Sequence, residues 1–260
     1  MNPSGRPHPD SAAGPSQADA AAPLLQLCGV HTHIGAYHIL HGVDLSVARG
    51  QLTMLLGRNG AGKTTTLRTI MGLWRASQGR ITLSGQEITR LDTPGIAARS
   101  IAYVPENMGI FADLSVKENM LLAARSARTL AQIDAARLRW IFSLFPAVEK
   151  FWNHPAGKLS GGQKQMLAVA RAIVEPRDLL IVDEPSKGLA PAIIDNMISA
   201  FAQLKQTGTT ILLVEQNLAF AQRLGDHVAV MDDGRVVYTG TMQALAADRA
   251  LQQSLLGLSL

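Results

Sequence analysis

"QLTMLLGRNGAGKTTTLRTI", Gln51 to Ile70, is the stretch whose reading decides the fold. From Leu52 to Leu56 it is a near-continuous apolar run, suited to a strand buried on both faces of a parallel sheet. The run ends at Gly57, and a helix is expected from about Gly62 to Leu73. Between them, Gly57, Gly62, Lys63 and Thr64 fit the pattern G-x-x-x-x-G-K-[ST]. That pattern has meaning where a strand precedes it and a helix follows. Its glycines let backbone N–H groups converge on phosphate oxygens, and the helix N-terminus adds partial positive charge. Gly57, Arg58, Asn59, Gly60, Ala61, Gly62, Lys63, Thr64 and Thr65 are therefore expected to cradle the phosphates of ATP. Lys63 reaches the β- and γ-phosphates, and the Thr64 hydroxyl ligates Mg²⁺. An ordinary glycine turn is the alternative, and the register of strand, loop and helix speaks against it.

A second strand-end supplies acids. "LLIVDEP", Leu179 to Pro185, puts the Asp183 and Glu184 carboxylates after four apolar residues. Ligands of open α/β sheets bind at such C-terminal strand ends. Asp183 is expected to hold Mg²⁺ through its water shell, and Glu184 to polarise the attacking water. Two acids in a solvated turn would be the bland interpretation, and the phosphate loop upstream weighs against it.

Around these two motifs the chain alternates. "LLQLCGV" and "GVDLSV" read as short strands of an antiparallel edge, followed after the phosphate loop by the strand "RITLSG". A short helix near "TPGIAARS" leads to the strand "IAYV". Residues from about Leu114 to Val174 read almost entirely as helix, with Leu138, Ile141, Phe142 and Phe145 on one packing face. Strand and helix then alternate through "DLLIV", a helix after Pro191, "TTILLV" and a helix from about Leu218. "HVAVMDDGRVVYTG" reads as two strands around an Asp-Gly turn, before a helix from Thr241. The fold class is α/β: a P-loop core with a mostly parallel sheet, an antiparallel β edge and an inserted helical subdomain.

Composition bounds the rest. The 260 residues are 47% hydrophobic, enough for one substantial core, and 17% charged, below the globular average of about 25%. That deficit fits a surface partly covered by a partner. The net charge of +4 is carried by scattered basic residues, so no nucleic-acid or lipid patch is expected. Cys28 is the only cysteine, which excludes an internal disulfide, and is expected to be a small buried thiol. Residues 1–22, rich in Pro, Ala, Ser and Gly, read as a disordered tail without the apolar core of a signal peptide. No later apolar run approaches the roughly 18 residues of a membrane span.

"KLSGGQKQMLAVARAIVEP", from Lys158, carries a second glycine-opened helix, with Met166, Leu167, Ala170, Ile173 and Val174 near one face and a stop at Pro176. Leu159 to Gln163 spell "LSGGQ", and with the phosphate loop, the helical insertion and the acidic strand in order, the chain resembles the ATP-binding subunits of ABC transporters. The resemblance spans about residues 24–240. It implies one ABC ATPase domain over 23–260, with a helical subdomain at about 105–176 and C-terminal strands and helix at about 227–258. It also implies that two such subunits, homo- or heterodimeric, pair head to tail. Ser160 and the backbone of Gly161, Gly162 and Gln163 would then meet the γ-phosphate held by the phosphate loop of the other chain. One chain carries two phosphate loops because it supplies half of each of two sites.

"VDEPSKGLAP", "LLVEQN" and "VPENMGIF...LSVKENM" resemble the ATPase subunits of branched-chain amino-acid, amide and urea importers. That implies integral membrane permease subunits, indirectly a periplasmic solute-binding protein, and a place at the cytoplasmic face of the inner membrane. Met108, Ile110 and Phe111 fall in the loop where the family docks its permease, or else fold back into the core. The family's usual glutamine is Glu106 here, a carboxylate expected to face Mg²⁺ or its water. The adenine-stacking aromatic falls near Ile34, with Tyr37 three residues late. An aspartate often found after the Mg²⁺ strand is replaced by Ala190 and Pro191. The family's switch histidine is Gln216, expected to act beside Glu184 in catalysis, unless it merely caps the next helix, for which Asn217 is better suited. Two other functions compete with transport: a soluble ABC-type ATPase acting on nucleic acid or ribosomes, and a non-hydrolysing or regulatory subunit. The first lacks the expected coiled-coil arms, zinc modules or second cassette. Lys63, Thr64, Asp183 and Glu184 weigh against the second.

Overall fold

A computed structural model describes residues 22–257. The tail expected at residues 1–22 lies outside the described residues, apart from Ala22.

Among the described residues ten strands form two sheets. β1 (Leu25–Ile34), β2 (Tyr37–Val47), β4 (Ala76–Leu83) and β5 (Gln86–Glu87) make an antiparallel sheet in the order β2-β1-β4-β5. β3 (Leu52–Gly57), β6 (Ile101–Val104), β7 (Leu179–Asp183), β8 (Thr210–Glu215), β9 (His227–Asp232) and β10 (Arg235–Thr241) make the second, ordered β10-β9-β3-β8-β7-β6. Its neighbours are parallel except for the β9–β10 hairpin. The chain is thus α/β, with a mostly parallel central sheet and a separate antiparallel one.

Side chains alternate across the central sheet because a strand has period two. Leu52, Met54 and Leu56 of β3, Leu180 and Val182 of β7, and Ile211 and Leu213 of β8 enter one core. Leu55, Leu179, Ile181, Leu212 and Val214 enter the other, which the antiparallel sheet covers from the opposite side. Both faces are dry, which is why these strands read as near-continuous apolar runs.

Helices fill the two flanks. α1 (Lys63–Ile70) lies in the core with the antiparallel sheet, and α2 (Thr93–Ala97) packs Ile96 there. α3 (Val116–Ala123), α4 (Ala135–Leu144), α5 (Pro146–Lys150) and α6 (Gly161–Ala172) occupy the other flank. There Ile141 and Phe145 are buried, with Leu138 and Phe142 packed at the margin. α7 (Pro191–Gln206), α8 (Leu218–Leu224), α9 (Met242–Ala247) and α10 (Arg249–Leu256) complete the chain. The single C-terminal helix expected from Thr241 is in fact two, broken at Asp248, whose carboxylate caps α10. Among the described residues no helix is long and apolar enough to cross a membrane.

A further expectation is overturned. Cys28 is exposed, not buried. It alternates along β1 with Leu27, which points inward, and so lies on the outer face of its strand.

Candidate active site

The phosphate loop joins the buried end of β3 to α1, and close packing demands its glycines. A Cβ at Gly57 would sit 2.3 Å from the carbonyl oxygen of Met231, and Gly62 has φ of 101°. Gly62 caps α1 without a side-chain hydrogen bond, and no acid stands in the first turn. The first N–H groups of the helix are thus left for an anion. Lys63, nearly buried, donates from Nζ to the carbonyls of Gly57 (2.9 Å) and Arg58 (3.1 Å), and lies 3.5 Å from Glu184 Oε1. Its ammonium therefore curls over the loop at the place where a phosphate would be gripped.

β7 delivers two acids to this spot. Asp183 has no solvent exposure. Its Oδ1 accepts the Thr64 hydroxyl at 3.2 Å, while Oδ2 has no partner. Burial, with the nearby Glu184 and Glu106 charges added, raises its pKa from 3.8 to about 6, against the opposing hydrogen bond from Thr64. A buried carboxylate with a free oxygen beside a hydroxyl fits a hard divalent cation, which takes oxygen ligands. Neighbouring Tyr103, pushed up to about 12 by burial and then by the Asp183 charge, remains a neutral phenol.

Glu184 follows with φ of 47°, an uncommon value for a residue with a Cβ. That turn aims its carboxylate along the pocket. Oε1 accepts Gln216 Nε2 at 2.6 Å, and Gln216 Nε2 lies the same distance from Asn59 Oδ1 of the phosphate loop. Asn217, not Gln216, caps α8 by accepting from the Phe220 N–H. Gln216 is thus free of a capping role and spans the phosphate loop and the strand-end acid.

Glu106 is brought to the same pocket, but a cation stands against it. Its Oε1 pairs with Lys187 Nζ at 2.5 Å. Ile34 and Ile39 form an aliphatic wall of this pocket of about 320 Å³, and Tyr37 points into solvent, 75% exposed. Tyr37 is thus not part of the wall of this pocket.

The "LSGGQ" loop stands apart. Ser160 caps α6 in a reciprocal box: its Oγ accepts from the Gln163 N–H, and Gln163 Oε1 accepts from the Ser160 N–H at 2.9 Å. The Gln163 side-chain oxygen is thereby occupied within its own helix end. Gly161 opens onto empty space, whereas a Cβ at Gly162 would meet Ile193 of α7 at 2.8 Å. The second glycine is needed for helix packing. Among the described residues, none from 159 to 163 lines the pocket that Lys63 and Glu184 share.

The loop before α3 divides the three apolar residues expected there. Met108 and Ile110 pack at the margin of the large core, while Phe111 stays half exposed. Buried Asn119 pins this loop, donating from Nδ2 to the Phe111 carbonyl (2.9 Å) and accepting from the Phe111 N–H (3.1 Å). Arg171 lies over the Phe111 ring at 5.3 Å. A neighbouring cleft of about 750 Å³, lined by Trp74, Tyr103, Met108 and Arg171 among others, runs between the central sheet and the helical flank.

Two residues here escape the sequence reading. Glu215, 2% exposed, accepts from the backbone N–H groups of Ser186 (2.9 Å), Gln216 (3.2 Å) and Asn217 (3.3 Å). It ties the loop after β7 to the end of β8, and burial raises its pKa. Its signal was an acid ending an apolar strand. Lys187 had no signal beyond its place after "DEPS".

The ABC transporter family model matches residues 40–187. The high-affinity branched-chain amino acid transport ATP-binding protein BraG of Pseudomonas aeruginosa is 38% identical over 234 residues, 90% of this chain and all of BraG. The probable branched-chain amino acid transport ATP-binding protein LivF of Archaeoglobus fulgidus is 35% identical, covering 85% of this chain and 93% of LivF. A solved ATP-binding subunit of an ABC transporter aligns with a TM-score of 0.76 at 30% identity, over 90% of this chain and 96% of its own.

Proposed function

Since the chain belongs to the ABC transporter family as an ATP-binding, ATP-hydrolysing subunit, we propose that it powers an importer of branched-chain amino acids or chemically related amides. Two copies, or this chain and a similar one, would pair head to tail. The observation that carries the split site is the separation within one chain. Lys63 and Glu184 share a pocket to which the Ser160 loop contributes nothing, while Ser160 and Gly161 are exposed at the N-terminus of a 12-residue helix. A helix N-terminus with free space before it suits the γ-phosphate of a nucleotide bound to another chain.

Within the pocket each residue has a role. The N–H groups of residues 60–65 and Lys63 bind the phosphates. Thr64 and Asp183 would hold Mg²⁺, which when bound screens the phosphate charge. Glu184 accepts a hydrogen bond from the attacking water and orients it, and Gln216 fixes the Glu184 carboxylate. As a neutral donor, Gln216 positions without adding charge. Phe111 and the adjacent cleft would meet the permease at the cytoplasmic face of the inner membrane. Solute specificity rests on the likeness to BraG and LivF, since the solute would contact other chains.

Reconstitution in vesicles with a branched-chain amino-acid permease of the same cell tests this reading. Labelled leucine should accumulate in an ATP-dependent way. Uptake of leucine, isoleucine, valine and short amides all failing, while ATP turnover persists, would refute the solute assignment.

A further inference from the structure

The pocket holds two lysines, of which Lys63 belongs to the phosphate loop. Lys187 is the other. It lines the same space as Lys63, Thr64 and Thr65. Both lysines grip a single carboxylate from its two sides: Lys63 Nζ lies 3.5 Å from Glu184 Oε1, and Lys187 Nζ lies 3.5 Å from Glu184 Oε2. Lys187 also pairs with Glu106 at 2.5 Å.

Stability does not account for this arrangement. The Lys187–Glu106 pair is 58% and 42% exposed, and such pairs contribute at most about 1 kcal/mol. Yet the backbone that carries Lys187 is held firmly. The preceding N–H, of Ser186, is anchored on buried Glu215, and Lys187 N–H bonds the Glu184 carbonyl at 3.3 Å. A half-exposed cationic tip on a fixed base, lining the same pocket as the phosphate loop, suits phosphate binding better than a strut.

We infer that Lys187 is a second γ-phosphate ligand of the same chain, held in readiness by Glu184 and Glu106. In the chain without nucleotide, Glu184 is the anion the two lysines share. When a triphosphate enters, its terminal oxygens replace that carboxylate as their partner. Lys63 and Lys187 shift onto phosphate, and Glu184 is released to orient water. A diphosphate, lacking the terminal group, leaves Lys187 on its carboxylates. The chain would thereby distinguish ATP from ADP before any partner docks. This inference rests on the ATP reading of the pocket.

The test compares affinities of the purified chain for ADP and for adenylyl-imidodiphosphate, a non-hydrolysed triphosphate, at fixed Mg²⁺. Lys187→Gln should weaken triphosphate binding about five- to tenfold, the scale of one charge-assisted hydrogen bond, with ADP affinity changed less than about twofold. Lys187→Arg should keep the wild-type ratio. An unchanged ratio in Lys187→Gln, whether both affinities fall together or neither falls, would overturn the inference. Lys63→Ala separates the two levels: it should weaken both nucleotides, and if it weakens neither, the ATP reading of the pocket itself fails.

Discussion

Replacing Asp183 by asparagine should make the nucleotide-free protein more stable while removing its Mg²⁺ chemistry. The carboxyl is fully buried, its Oδ2 has no partner, and its pKa rises from 3.8 to about 6. A pKa raised by folding means the native state holds the proton more tightly than the unfolded chain. The stabilising contribution is complete below about pH 3.8, is lost as pH rises through about 6, and is absent at neutral pH. The span between the two values corresponds to ~3 kcal/mol of strain carried by the ionised form. Asparagine removes the charge, but its amide N–H groups need partners, so the expected net gain is about 1–2 kcal/mol at pH 7.5. Urea unfolding of both proteins in metal-free buffer at pH 7.5 and at pH 5 measures this. The variant should lead at pH 7.5, the lead should shrink at pH 5, and Mg²⁺ with nucleotide should stabilise only the wild type strongly. A variant less stable than wild type at pH 7.5 would refute the picture of a buried carboxylate awaiting a cation.

Other outcomes follow from the same site. Glu184→Gln should keep nucleotide binding and lower steady-state phosphate release by about a hundred- to ten-thousandfold, the loss expected of a general base. Gln216→Ala should lower turnover with little change in nucleotide affinity, because its amide touches Glu184 and Asn59 rather than a helix cap; unchanged turnover would remove its positioning role. A cysteine at Phe111 should crosslink to a cytoplasmic loop of the permease, while cysteines at Met108 or Ile110 should crosslink less, since both pack inward. Equal labelling at all three positions would argue against Phe111 as the contact.

The phosphate loop and the acidic strand were legible because strand, loop and ligand residues are contiguous in sequence. The near-continuous apolar run at Leu52–Leu56 and the unbroken one at Leu179–Val182 report strands covered on both faces, as β3 and β7 are. Long-range partners left no such trace. Lys187 meets Glu106 across 81 positions, and Glu215 reaches back 29 to Ser186. Nothing in the sequence marked a packing role for Gly162, yet its missing side chain makes room for Ile193 of a helix far along the chain. Cys28 was misplaced because residue type was weighed above strand alternation: Leu27 takes the inward position, and its neighbour must face out. The break at Asp248 was readable as an acid ahead of a helical run, the mark of an N-cap.

The mass and ATP content of the Glu184→Gln chain in solution test the split site most directly, measured alone and combined with Ser160→Arg. With ATP and Mg²⁺, the single variant should form a complex of two chains holding two ATP molecules. The double variant should remain one chain with its own phosphate loop still occupied, because arginine at Ser160 blocks the facing half of the partner's site. A single variant that saturates with ATP as a monomer, or a double variant that dimerises as readily as the single one, would contradict a site shared between two chains.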